Sequence, residues 1–211
     1  SLAEELTRPN TTPAIVPVSE QRRLLTENRL ELALLASAHL TDPIYGMAHL
    51  GCSLAFHLNE YYALGLTVTK NVPALSSISV QLRDSLGIDV QRVPHLSWSS
   101  YFDAIYKPIY GKMQYSQNTP LWYSLYVLLT TGYLQFTHKS YPLVGIGIGE
   151  KINLDTKWSL KFDFRGLYHI QPHVYESGYM RNTDPLPEND QFGEYSEVNY
   201  TLDFSLAYLF E

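Results

Sequence analysis

Residues 198–210 read Val198-Asn199-Tyr200-Thr201-Leu202-Asp203-Phe204-Ser205-Leu206-Ala207-Tyr208-Leu209-Phe210. Every even position is large and apolar or aromatic, while the odd positions are mostly small or polar. Side chains of a strand alternate between its two faces, so this stretch predicts one apolar and one polar face. It is longer than the usual strand of about five or six residues, and matches the length that crosses a bilayer at a tilt.

The same phase recurs upstream. Arg29 to Leu40 places Leu30, Leu32, Leu34, Ala36, Ala38 and Leu40 against Arg29, Glu31, Ala33, Leu35, Ser37 and His39, and Thr41-Asp42-Pro43 then breaks the strand. Met47 to Leu58 sets Ala48, Leu50, Cys52, Leu54, Phe56 and Leu58 against His49, Gly51, Ser53, Ala55 and His57. Tyr62 to Thr69 and Trp158 to His169 alternate in the same way. Three further strands are expected over Trp98 to Pro108, Leu121 to Phe136 and Val144 to Ile152, the last alternating Val144, Ile146 and Ile148 with Gly145, Gly147 and Gly149. With the C-terminal strand the set comes to eight, an even number that closes into a barrel without exposed edges.

The compartment depends on which face is inside. A soluble barrel fills its core with the apolar face, and a membrane barrel turns that face to lipid. The polar face carries Arg29, Lys107, Lys161 and Arg165 against Glu31, Asp103, Asp163 and Asp203. Balanced charge of this kind suits a narrow lumen closed by ion pairs, since an unpaired buried charge is costly. If the turn at 154–157 sets the register, Gly145, Gly147 and Gly149 lie opposite Arg165, Asp163 and Lys161 and make room for them. The fold class expected is therefore all-β: an eight-stranded antiparallel transmembrane β-barrel with a polar, charge-paired lumen.

Composition agrees. Only 17% of residues are charged, hydrophobic residues make up an ordinary 45%, and 17 tyrosines outnumber 8 Phe and 3 Trp together. Tyrosines suit the aromatic girdles of a membrane barrel. The net charge of -6 argues against nucleic-acid binding, and the single cysteine, Cys52, excludes an internal disulfide framework. No stretch is long and apolar enough for a membrane helix: the apolar heart of the uncharged run Met113–Thr137 spans only Leu121 to Leu134. The acidic start Ser1-Leu2-Ala3-Glu4-Glu5 is no secretory signal, so the chain reads as a mature form with its leader removed.

Residues 1–28, with three prolines, read as a periplasmic extension with a helix over Glu20 to Thr26, and 29–211 as the barrel. Asn59-Glu60-Tyr61 and Leu154 to Lys157 are short turns of the periplasmic side. Lys70 to His95, with a short helix over Ser76 to Leu86, and the acidic Ile170 to Glu197 are long surface loops. Ile109 to Pro120 is expected as an unusually long periplasmic connection.

Several motifs together resemble the small outer-membrane β-barrel proteins of predatory and gliding relatives of the proteobacteria, OmpA-like in architecture. They are Asn28-Arg29-Leu30-Glu31-Leu32, Leu40-Thr41-Asp42-Pro43, a Pro-Ile-Tyr-Gly-Lys turn at Pro108 to Lys112, the Gly-x-Gly-x-Gly strand, and Phe162-Asp163-Phe164-Arg165. The alternating aromatic C-terminus resembles the signal read by the barrel-assembly machinery, although Glu211 follows the terminal Phe210. The resemblance covers Arg23 to Phe210 and implies an outer-membrane location, contact with lipid and lipopolysaccharide, and no settled reaction.

Candidate chemistry is sparse. His138-Lys139-Ser140 with Glu150 is similar to the His-x-Ser plus Glu arrangement of outer-membrane lipid A deacylases, but strand rise carries Glu150 too far from His138 to complete a triad. His39 and His49 are expected to face each other across the first hairpin, with His57 facing Glu31; no third metal ligand converges, and no metal or cofactor is expected. The acidic last loop offers carboxylates to divalent cations bridging lipopolysaccharide phosphates, or is simply solvated. Small outward residues at Ala36, Ala38, Ala48 and Cys52, with Ala104 apart from them, mark a packing patch for homo-oligomerisation. The function expected is structural or interactive, a loop-bearing barrel that self-assembles; a lipid hydrolase and a small pore are the alternatives. Eight strands enclose a lumen that side chains fill, which counts against the pore.

Overall fold

Alternation defines the strands, and the chain lays them down in order. In the computed structural model, which describes residues 26–41, 48–72, 84, 94–116, 119–173 and 193–210, they are Leu30–His39 (β1), Ala48–His57 (β2), Tyr62–Val72 (β3), Leu96–Ser116 (β4), Thr119–Phe136 (β5), Ser140–Asn153 (β6), Trp158–Pro172 (β7) and Glu194–Leu209 (β8). Each pairs antiparallel with its sequence neighbour. A seam from Glu31↔Leu209 to His39↔Thr201 joins β1 to β8, so the sheet closes on itself. The helices expected over 20–26 and 76–86 fall, apart from Thr26 and Asp84, outside the described residues.

On β1, β2, β3, β8 and on β7 as far as Ile170, the even-numbered residues face out and the odd-numbered ones face in. Leu34 is 68% exposed while its neighbours Ala33 and Leu35 are buried. The barrel is thus inside-out relative to a soluble one.

The β4–β5 hairpin departs from expectation. Pro108 to Lys112 is not a turn, and Ile109 to Pro120 is not a loop. Apart from residues 117–118, which are outside the described residues, both lie within paired strands that continue from Ile109↔Leu125 to Ser116↔Thr119. A register shift between Tyr106 and Ile109 interrupts the ladder. From Ser99 to Lys107 the buried residues of β4 are odd-numbered; beyond the shift Ile109 is exposed, and Tyr110, opposite buried Ser124, takes the inward place. A bulge of this kind slips the side-chain phase by one, which is why simple alternation stops at Pro108. Pairing of β3 with β4 ends at Tyr62↔Tyr106, so the hairpin runs on past the rim.

The β6–β7 register also differs. Gly147 lies opposite Arg165 and Gly149 opposite Asp163, while Gly145 faces Leu167 and Lys151 faces Lys161. The expected pairing is off by two residues because the turn closes from Leu154 N–H to the Trp158 carbonyl (2.9 Å), leaving Asn153 opposite Ser159.

At the end that carries the short turns, residues 26–28 are tied to the barrel mouth. Glu60 accepts from the Thr26 and Glu27 amides at 2.6 and 3.0 Å. Asn28 takes a left-handed φ of 57°, which asparagine tolerates better than most residues, and donates its N–H to the His57 carbonyl at 2.8 Å.

Candidate functional site

Two charged centres occupy the lumen. In the first, Glu31 of β1 accepts from Lys151 of β6 across the barrel and lies 3.4 Å from Lys161 of β7. His57 Nε2 approaches the same carboxylate at 3.3 Å, and Lys107 Nζ lies 3.1 Å from His57 Nδ1. An ammonium can only donate, so Nδ1 accepts and the imidazole proton stands on Nε2, facing Glu31. Lys107 also donates to Thr26 Oγ1 at 3.3 Å, linking this centre to the mouth.

In the second centre, Arg165 of β7 meets three aspartates. Its Nη1 donates to both oxygens of Asp103 on β4 at 3.2 and 3.1 Å, and Nη2 reaches Asp163 at 3.4 Å. Nε lies 3.2 Å from Asp203 of β8, as an ion pair without hydrogen-bond alignment. Neutral donors complete the carboxylates: Ser37 to Asp203, Tyr126 to Asp163, and Thr130 to Asp103 at 2.6 Å. The Tyr101 ring lies 5.7 Å from the guanidinium carbon. Gly149 makes this possible, because a Cβ there would stand 2.2 Å from Asp163 Oδ1 and 2.3 Å from the Tyr126 ring.

Of the eight charged residues expected in the lumen, Glu31, Asp103, Lys107, Lys161, Asp163, Arg165 and Asp203 are buried there. Arg29 is not. It stands one residue before β1, half-buried, outside both centres. Lys151 is the cation in its stead, 6% exposed. It continues the inward phase of the glycine row by one step, a signal present in the sequence. Four buried cations therefore still meet four carboxylates.

The lumen is also less polar than expected. Leu96, Tyr101, Leu134, Phe136, Tyr141, Leu143 and Leu167 form an apolar cluster inside, and Ala63, Ile105, Tyr126 and Leu128 a second. Three of the tyrosines expected in girdles are therefore lumen residues. Other aromatic residues do ring the outside: Tyr62, Tyr106 and Trp158 near the short-turn end, and Trp98, Tyr133 and Tyr168 near the other, all at least two-fifths exposed. The void spaces beside the two centres, about 20 and 10 Å³, hold about one water each.

The remaining expected sites are placed as follows. The His39 and His49 rings lie 4.3 Å apart, centroid to centroid, and His49 has no hydrogen-bond partner among the described residues. His169 is instead bound to Asn199 at 2.7 Å. Among the described residues no three His, Cys, Asp or Glu side chains converge on a metal position. His138 Nε2 meets Tyr141 Oη at 3.1 Å, Ser140 donates to Gln135, and Glu150 lies ten residues along β6, roughly 33 Å from Ser140 at strand rise. These residues form no triad. Burial holds the His138 imidazole below its ordinary range. Beside it, Lys139 donates to Glu194 at 2.7 Å and holds that carboxyl below its ordinary value.

On the outer wall, Ala38 stands opposite Ala48, and Ala36 beside it faces Leu50. Cys52 pairs with Leu34. Leu34 and Leu50, at 68% and 57% exposure, separate Cys52 from the alanines, so the patch reduces to Ala36, Ala38 and Ala48.

An apolar outer wall over a self-neutralised lumen is stable against hydrocarbon and unstable against water. The fold and site together define a transmembrane β-barrel. Comparison with protein-family models gives no match, and comparison with curated proteins gives none. Among solved structures, the N-terminal β-barrel domain of Pseudomonas aeruginosa OprF aligns at TM-score 0.48 and 12% identity, over 87% of this chain and 98% of that one. A de novo designed transmembrane β-barrel aligns at TM-score 0.40 and 9% identity, over 87% and 97%. Neisserial surface protein A aligns at 0.35 and 12%, over 86% and 93%.

Proposed function

We propose that this chain is a non-catalytic outer-membrane barrel that anchors the surface connections 73–95 and 173–193 in the envelope. The observation that carries this is the inside-out wall: among the described residues the lumen pairs its own charges, and the voids beside its two charged centres hold about one water each, so interaction falls to the loops and the outer face. The reading keeps lipid and lipopolysaccharide as surroundings, with the β8 alternation as the feature assembly machinery would read. The resemblance to barrels of predatory and gliding bacteria goes with it. Self-assembly through the Ala36, Ala38 and Ala48 notch is its oligomeric form; native mass spectra showing monomer alone would remove that part.

The test is gel mobility of detergent-extracted protein with and without boiling, together with protease shaving of whole cells. A heat-dependent mobility shift and cleavage within 73–95 or 173–193 are expected. A chain that is water-soluble when native, or protected from external protease, overturns the reading.

A further inference from the structure

One carboxylate faces outward on the wall, toward its short-turn end. Glu150 of β6 is half-buried and makes no hydrogen bond or ion pair among the described residues. Its cross-strand partners are Leu125 on β5 and Phe162 on β7, and its outward neighbours along β6 are Ile148 and Ile152, so no charged side chain stands beside it on that face. Glu150 lies at the end of an apolar groove of about 420 Å³ that follows β6. Ile109, Leu125 and Val127 flank it on one side, and Phe162, Phe164 and Leu202 on the other.

We infer that this groove binds one acyl chain of a phospholipid whose headgroup is a primary ammonium, with that ammonium on Glu150. The inference rests on the outer-membrane reading, which turns this wall to lipid. Two features select the occupant. The groove offers hydrocarbon contact and almost no polar atoms, which suits an acyl chain. The carboxylate stands three residues from the β6 end at Asn153, on the side of the short turns, close to where headgroups meet chains. A lone anion there is complemented by a cation, and a primary ammonium both neutralises it and donates hydrogen bonds. A quaternary ammonium of equal charge cannot donate, and an anionic headgroup is repelled.

Native mass spectrometry of the full chain in mild detergent tests this, with phosphatidylethanolamine, phosphatidylcholine and phosphatidylglycerol of identical acyl chains added in equal amounts. The wild type is expected to retain phosphatidylethanolamine about fivefold over phosphatidylcholine, the scale of one partly exposed ion pair. Glu150→Gln is expected to bring that ratio to about one. Val127→Phe, which fills the groove, is expected to lower retention of all three lipids. Equal retention by the wild type, or a preference that survives Glu150→Gln, overturns the inference. So does a dimer that Glu150→Gln dissociates, which makes a second copy the occupant. Heat-dependent mobility is measured on the same samples: a shifting barrel without lipid preference defeats this inference alone, whereas absence of the shift defeats the outer-membrane reading.

Discussion

Lys151 and Arg29 show how far a single residue can be read. Parity tells which face a side chain takes, and both lysine and arginine positions are odd-numbered, on the inward phase. Parity does not say where a strand begins, nor what lies across the lumen. Arg29 falls one residue outside β1, where the chain is still turning through Asn28. Lys151 finds Glu31 a hundred and twenty residues away in sequence, a contact no local pattern encodes. The difference has a measurable consequence. Lys151→Met removes one buried partner of Glu31 while Lys161 remains, and is expected to cost about 3 kcal/mol, the low end for breaking a buried pair. Arg29→Met is expected to stay within about 0.5 kcal/mol. Denaturant midpoints of the refolded barrel in micelles, followed by gel mobility, compare the two; equal losses would mean Arg29 shares the network.

At the scale of elements, strand identity was legible because a one-residue slip exchanges the two faces, and only one exchange puts hydrocarbon outside. The β4–β5 hairpin escaped that logic. Its bulge moves the inward phase from odd to even, so residues beyond Pro108 look aperiodic to a fixed alternation. Glycines on the strands are separable by what their missing side chains would meet. A Cβ at Gly132 would stand 2.0 Å from the Ser100 carbonyl oxygen, a backbone atom that can yield only if β4 and β5 part. One at Gly65 would stop 3.4 Å from the Asp103 side chain, an ordinary contact. Gly132→Ala is therefore expected to abolish the heat-dependent gel shift, and Gly65→Ala to leave its midpoint within about 1 kcal/mol of the wild type. An intact barrel in Gly132→Ala would show that the two strands have more freedom than their register implies.

For the whole molecule, closure and lumen chemistry decide permeability. Among the described residues, two charge centres and two apolar clusters occupy the bore, and the voids beside the two centres admit about one water each. Planar-bilayer recordings are expected to show no sustained open level; a steady ohmic current in the wild type would restore the small-pore reading. The centres also join parts of the chain that are made at different times. Glu31 from the first strand waits for lysines of the sixth and seventh, and Asp103 waits for Arg165. A sheet missing its first strand would leave Lys151 and Lys161 without Glu31, and one missing its last would leave Arg165 without Asp203. Closure therefore carries an electrostatic reward: these buried ion pairs are complete only in the ring in which the last strand docks against the first.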